Sequence, residues 1–411
     1  MFRSLGILNI GVVTSIPTPY RDPFWAKLGS LDGVNLTVIY CAGQKADRPW
    51  GELRKESNYR AEFPRSINLA SSIGWGSSCF WNRGAIGLLK SFGPDAVLIG
   101  GYSHLTMLRA IRFCHQRHIP WFLMSESWKD RKGLKGLLKR RWLRSLLKTA
   151  TGGMPTGSLA ASKLKSLGIS SDHQFRLPNV PDISSISREA SAVRDNVVAA
   201  RLGFDVPEGK KILLFAARMI PKKRPLTAIE SLSYLKQKEG IQLVFLGDGP
   251  LRTEAEGLAS KLGLSKLVRF EGFVRPELVH KWMAIADVFL QPSSETWGVA
   301  PIEAAACGCR VIVTNQVGCY ADVFKGSNEH RVLPEISAAA LARSIEELIG
   351  GESVQDTSLS TGCQAWLEAN THEQLVVDLE AFLKLRVDWE GDLPDSAPSP
   401  QIIKKDPDES T

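Results

Sequence analysis

The residues best suited to chemistry are two glutamates, Glu295 and Glu303, with seven residues between them. They lie in Gln291-Pro-Ser-Ser-Glu295-Thr-Trp-Gly298-Val299-Ala-Pro301-Ile-Glu303, followed by Ala-Ala-Ala-Cys-Gly308-Cys. The segment reads as strand, loop, helix, glycine turn and strand. Glu295 falls in the loop after the first strand, and Glu303 falls inside the helix. In parallel α/β sheets, ligands bind at the carboxyl ends of strands. The amides around Trp297–Ala300 open a helix, which favours phosphate oxygens there. Two carboxylates accept hydrogen bonds, as sugar hydroxyls would supply. Taken alone, the pair also reads as two unrelated acids on an exposed helix start.

The full context is more specific. It resembles the E-x7-E signature of retaining glycosyltransferases of the GT-B fold, especially glycosyltransferase family 4 (group 1). The resemblance implies that Glu295 approaches the donor sugar and Glu303 binds the nucleotide ribose, with Gly298 and Val299 lining the donor site. A second match is Arg218-Met-Ile-Pro221-Lys222-Lys223-Arg224-Pro225, after the run Lys211–Ala217. In such enzymes an Arg and a Lys five positions on hold the diphosphate, and Arg218 and Lys223 have that spacing. A departing nucleoside diphosphate gains negative charge that fixed cations stabilise. Lys222 and Arg224 read as solvated neighbours.

Two further segments resemble donor-side parts of the same family. Gly247-Asp248-Gly249-Pro250 is similar to the family's glycine turn beside the donor, although ordinary turn chemistry explains Asp248 equally well. It lacks the third glycine of the dinucleotide fingerprint. Arg269-Phe-Glu-Gly272-Phe273-Val274 resembles the strand beside the nucleotide base, which assigns Phe273 to donor binding. The implied enzyme is a metal-independent, hexosyltransferase-like glycosyltransferase without cofactor. Its implied substrates are a nucleotide-sugar donor and a glycan or lipid-linked acceptor. Two rivals remain: another GT-B enzyme such as a nucleotide-sugar epimerase, and a non-catalytic sugar-nucleotide-binding or membrane-binding subunit.

The first half is less specific. The loop Ile16-Pro17-Thr18-Pro19-Tyr20-Arg21-Asp22-Pro23 is proline-rich where many relatives are glycine-rich. Arg21 reads either as a contact to an acceptor phosphate or as an exposed turn residue. Glu126, in Met124-Ser125-Glu126-Ser127, stands where many relatives place a histidine near the donor sugar. Glu126 and His104, the latter in Gly100-Gly101-Tyr102-Ser103-His104, are the candidates for that catalytic support; a lone histidine after a strand also suits packing. His115 and His118 read as a helix terminus rather than a metal pair.

The segment Lys129–Lys148 holds nine Lys or Arg and one Asp. Leu134, Leu138, Trp142 and Leu146 recur every four residues, widened by Leu143 and Leu147. This predicts a cationic amphipathic helix. It either docks on an anionic membrane through Lys139, Arg140, Arg141, Trp142 and Arg144, or packs its stripe on the domain. No RNA-recognition motif accompanies the charge, so no nucleic-acid partner is expected.

Positioning these residues requires a particular framework. Apolar runs at residues 7–13, 36–40, 96–99 and 121–124 alternate with helical patterns. The second half repeats the rhythm at 212–216, 242–246, 268–270, 288–291 and 310–314. Such alternation predicts two doubly wound α/β domains with parallel sheets. With the resemblance, this becomes GT-B: two Rossmann-like domains facing across a cleft. The expected division is an acceptor-side domain over 1–185, a donor-binding domain over 186–387 and a disordered acidic tail over 388–411.

The chain has 411 residues, 44% hydrophobic and 23% charged, with a net charge of +8. That composition excludes a mostly disordered or collagenous chain. No apolar run is long enough to cross a membrane. The seven cysteines include no CxxC pair, which argues against a disulfide framework or zinc site. A cytoplasmic location, with peripheral membrane contact as an option, is the expectation.

Overall fold

The computed structural model describes residues 6–43, 58–70, 78–130, 132–350 and 361–387. The acidic segment 388–411 lies outside the described residues. The chain forms two compact units. One runs to Asn179 and resumes at His372; the other is Val180–Thr371.

The first unit contains β1 (Leu8–Thr14), β2 (Val34–Tyr40), β3 (Arg60–Glu62), β4 (Ser66–Asn68), β5 (Phe80–Asn82), β6 (Ala96–Ile99), β7 (Trp121–Ser125) and β8 (Gly152–Pro155). Six of them form a parallel sheet in the order β3-β2-β1-β6-β7-β8, and β4 pairs antiparallel with β5. The central strands are apolar because both sheet faces are covered, as parallel sheets require. Their buried residues include Val12, Val38, Leu98 and Phe122.

The second unit contains β9 (Lys211–Ala216), β10 (Ile241–Leu246), β11 (Val268–Gly272), β12 (Val288–Gln291), β13 (Arg310–Thr314) and β14 (Arg331–Leu333). They form a parallel sheet in the order β11-β10-β9-β12-β13-β14. In both sheets the winding reverses beside the first strand, between β1 and β6 and between β9 and β12. Crevices at such reversals are where open α/β sheets take ligands.

Three expectations need correction. The second domain does not extend to 387, because the helix His372–Lys384 packs on the first unit. His372 meets the Phe24 ring at 5.8 Å, Phe382 meets Phe122 at 5.7 Å and Phe175 at 5.4 Å, and Lys27 pairs with Glu373 at 3.0 Å. The boundary at 185/186 moves to 179/180. Asp182 caps the helix Ile183–Arg194 by accepting from the Ser185 amide at 3.0 Å. That helix buries Ile183, Ile186 and Ala190, and Ser187 Oγ donates to the Ala306 carbonyl at 3.1 Å.

The third correction concerns the basic helix, Gly133–Leu147. Its apolar residues do not form one packed stripe. Leu143 and Leu147 are each 4% exposed in the core, whereas Leu134 is 71% exposed. Leu137, Leu138 and Trp142 are also exposed. The expected membrane-contact residues divide likewise. Arg140 and Arg144 donate to the Ser166 carbonyl at 3.3 and 2.9 Å, and Lys139 lies 5.2 Å above the Tyr102 ring. Arg141 is exposed, and Trp142 meets Tyr102 edge-on at 5.8 Å. Among the described residues, no helix is long and apolar enough to cross a membrane.

Candidate active site

At the winding reversal of the second sheet, the loops after β9 and β12 bring Lys223 and Glu295 together. Gln291 ends β12, and the chain then turns through Pro292–Gly298. The turn is held by residues after β13: the Glu295 amide donates to the Gln316 carbonyl at 2.9 Å, and the Gly318 amide donates to the Glu295 carbonyl at 3.2 Å. Gly298 has φ +106°, and a Cβ there would lie 2.5 Å from Val317 Cγ1. Trp297 is buried, with its ring 6.3 Å from Trp366. The helix Ala300–Ala306 follows Val299 and carries Glu303.

The Glu295 carboxylate accepts hydrogen bonds from Lys223 Nζ, Gln291 Nε2 and Ser293 Oγ, the last at 3.0 Å. Burial opposes its ionisation. The charge and hydrogen bond of Lys223, the Ser293 hydroxyl and the charge of Lys222 outweigh that penalty and hold the carboxyl below its ordinary range. Glu295 is therefore an anion in a largely buried setting, which suits it to accept from a ligand hydroxyl.

Arg218, Lys222 and Arg224 are exposed around the same loop. The glycine turn after β10 supports that loop. The Met219 amide donates to the Asp248 carbonyl at 2.9 Å, and the Leu251 amide donates to the Met219 carbonyl at 3.0 Å. Gly247 and Gly249 have positive φ, and Cβ atoms there would meet the carbonyl oxygens of Ala217 at 2.2 Å and Met219 at 2.6 Å. The two glycines thus permit the backbone contact that positions the cation-bearing loop. Phe273, just beyond β11, is 75% exposed.

Glu303 has a partner that sequence spacing did not indicate: His280 Nε2 lies 3.6 Å from its Oε1. Burial disfavours charge on His280, but the contact and charge of Glu303, with Glu189 and Glu277, outweigh it and raise the imidazole pKa. Gln291 and Ser293 also emerged only in three dimensions. The one sequence cue for Gln291 is a polar residue closing an otherwise apolar strand.

In the first unit, Arg21 and Glu126 lie at the same sheet edge. Arg21 Nη2 donates to the Leu177 carbonyl at 2.9 Å, and the guanidinium stands 5.7 and 5.8 Å from the Phe24 and Trp25 rings. Burial brings its pKa down to about 10, against the raising influence of Tyr20 and Glu126. Glu126 Oε1 accepts from Asn179 Nδ2 at 2.5 Å. His104 is buried: it is 3% exposed, meets the Phe80 ring at 5.0 Å, and accepts from the Phe80 amide at 3.4 Å, contacts that suit the packing alternative. His118 adopts the left-handed cap of the helix Leu105–Arg117, in keeping with a helix terminus.

The loop bearing Arg21 is anchored by its neighbour. Tyr40 Oη donates to Asp22 Oδ1 at 2.8 Å and lies 3.2 Å from Tyr59 Oη. Burial raises Asp22 to about 6, although the Tyr40 hydroxyl and Thr18 backbone favour its charged form. The folded state consequently holds this proton more tightly than the unfolded chain. The stability it contributes is present below about pH 4 and is lost as pH rises through about 6. Asp22→Asn keeps an acceptor for Tyr40 without the charge. Its melting temperature should exceed the parent's at pH 7.5, with the gap narrowing toward pH 5. A pH-independent difference in thermal scans contradicts this account.

Residues 201–359 match the protein family described as "Glycosyl transferases group 1". The chain is 28% identical over 191 residues to the lipopolysaccharide core biosynthesis glycosyltransferase LpsE of Rhizobium meliloti, covering 46% of this chain and 53% of that protein. It spans about half or less of the length of the first curated relatives it matches. Among solved structures, HepE of Anabaena in complex with UDP and glucose superposes with a TM-score of 0.64 at 16% identity, covering 91% of this chain and 99% of that one. A glycosyltransferase from Rickettsia africae superposes with a TM-score of 0.69 at 16% identity, covering 93% and 99%. The fold is that of the GT-B class, with two Rossmann-like units, and the group 1 match falls within the second.

Proposed function

We propose that the protein is a metal-independent, retaining glycosyltransferase of family 4 that moves a sugar from a nucleoside-diphosphate sugar to an acceptor hydroxyl. The observation that carries this reading is the ionised Glu295 paired with Lys223 at the winding reversal of the second sheet. Glu295 receives donor-sugar hydroxyls, Glu303 the ribose and exposed Phe273 the base. Arg218 and Lys223 neutralise the departing diphosphate, so no divalent ion is required. The acceptor attacks the face that the diphosphate leaves, and a diphosphate oxygen takes its proton. The names of LpsE and of the UDP-bound and glucose-bound HepE support a nucleotide-sugar donor and a glycan acceptor.

The test is incubation with a panel of nucleotide sugars, with and without a chelator, scoring nucleoside diphosphate release and transferred sugar. Transfer that persists in the chelator supports the reading. Epimer formation without transfer points to the epimerase alternative, and absence of any turnover overturns enzymatic transfer.

We further propose an acceptor anchored in the cytoplasmic leaflet, such as a lipid-linked glycan precursor. Exposed Leu134, Leu137, Leu138 and Trp142 stand beside exposed Lys135, Lys139, Arg141 and Arg144. Apolar side chains with flanking cations bind anionic lipid surfaces, at about 1 kcal/mol for each nearby cation. The protein should co-sediment with anionic vesicles at low salt and be released at high salt. Leu137→Ser with Leu138→Ser should weaken this binding without lowering the melting temperature. Indifference to anionic vesicles would favour a soluble acceptor.

A further inference from the structure

We propose that Gln291 and Ser293 are a positioning pair that grips Glu295 by one carboxylate oxygen and leaves the other for the donor sugar. This rests on the glycosyl-transfer reading. Lys223 Nζ, Gln291 Nε2 and Ser293 Oγ all donate to Oε1, and Oε2 receives no hydrogen bond among the described residues. Gln291 Nε2 also donates to Ser293 Oγ at 3.0 Å, and Thr314 Oγ1 donates to the Ser293 carbonyl at 2.7 Å. Both members of the pair are almost fully buried, so their side chains are held by packing.

Proton accounting gives the array one direction. The two amide hydrogens of Gln291 go to Ser293 and Glu295, and the single hydroxyl proton of Ser293 goes to Glu295. Every donor therefore points toward the carboxylate, which must be ionised to accept them all. Lys223 is the only member of the array with a second duty, because the proposed reaction turns it toward the diphosphate. When it does so, Gln291 and Ser293 keep Glu295 charged and oriented. Among the described residues, the charged and titratable groups acting on Glu295 include Lys223, Lys222 and the buried Cys319 thiol. Loss of a neutral donor should consequently register in the acid limb of the rate profile.

The experiment uses the full chain, a nucleotide sugar it turns over, and the variants Ser293→Ala, Ser293→Thr and Gln291→Met. Ser293→Ala and Gln291→Met should lower kcat about ten- to a hundredfold, the loss expected for a hydrogen bond to a charged group. The nucleoside diphosphate Kd, measured by calorimetry, should stay within about twofold, because the pair faces the sugar-binding carboxylate. The acid limb of kcat/KM should move to higher pH, and Ser293→Thr should restore most of the rate. Unchanged kcat and acid limb in Ser293→Ala, beside an active parent, overturn the proposal alone. Equal losses in kcat and nucleotide binding, with no rescue by Thr, also overturn it by marking a structural role. A parent that releases no nucleoside diphosphate from any donor removes the transfer reading and this inference with it.

Discussion

Glu295→Gln should lower turnover by about 10²–10³-fold, the usual loss for one preorganised charged contact made at the transition state. The substitution keeps the shape of the side chain and removes its charge. Lys223, Gln291 and Ser293 all donate to this carboxylate. A neutral amide can still accept, but more weakly, and its NH₂ group cannot accept from a sugar hydroxyl. Nucleoside diphosphate affinity should change only a few-fold, because the proposed role of the residue is toward the sugar. Lys223→Ala should behave differently. It strands Glu295 as a largely buried anion without its paired lysine and removes the proposed diphosphate ligand, so both turnover and nucleotide affinity should fall. Steady-state kinetics paired with calorimetry separates the two patterns. Near-normal turnover in Glu295→Gln would remove this carboxylate from the mechanism.

Gly247→Ala should be among the most destabilising single substitutions in the second unit. The φ of +129° is one that L side chains rarely adopt, and the added Cβ would sit 2.2 Å from the Ala217 carbonyl oxygen. The glycine also donates its amide to the Gly272 carbonyl at 2.6 Å, tying the end of β10 to β11. Strain and displacement together should cost about 3 kcal/mol. For a domain of this size that is a fall of about 6–12 °C in Tm. Because Ala217 leads directly into Arg218, the same change should weaken nucleotide binding. An unchanged Tm in thermal scans would mean that the loop accommodates a side chain there, and that the backbone approach does not position Arg218.

Much of the framework was legible because buried parallel strands leave a strong apolar signature. Ala96–Ile99, Val288–Gln291 and Arg310–Thr314 fall where the apolar runs predict them. β8 was not legible: Gly-Gly-Met-Pro has little intrinsic strand preference, and it pairs because β7 offers an open edge. The strands β3, β4, β5 and β14 are three residues each, too short for an apolar or alternating pattern to mark them.

The amino-acid sequence by itself determined the chemical inventory. The spacing of Glu295 and Glu303, the Arg218 and Lys223 pair and the glycine turn are local patterns, set by a few consecutive residues. Tertiary structure alone decided which groups meet. Lys223 reaches Glu295 because β9 and β12 are neighbours in the sheet, although 72 positions separate the two residues. His280 comes against Glu303 through the packing of two helices, and Asn179 reaches Glu126 across 53 positions. His104 and the leucines of the basic helix show the same limit from the other side. Their residue types permit either a functional or a packing role. Burial, which depends on distant elements, places His104, Leu143 and Leu147 in the interior and leaves Leu134, Leu137, Leu138 and Trp142 at the surface.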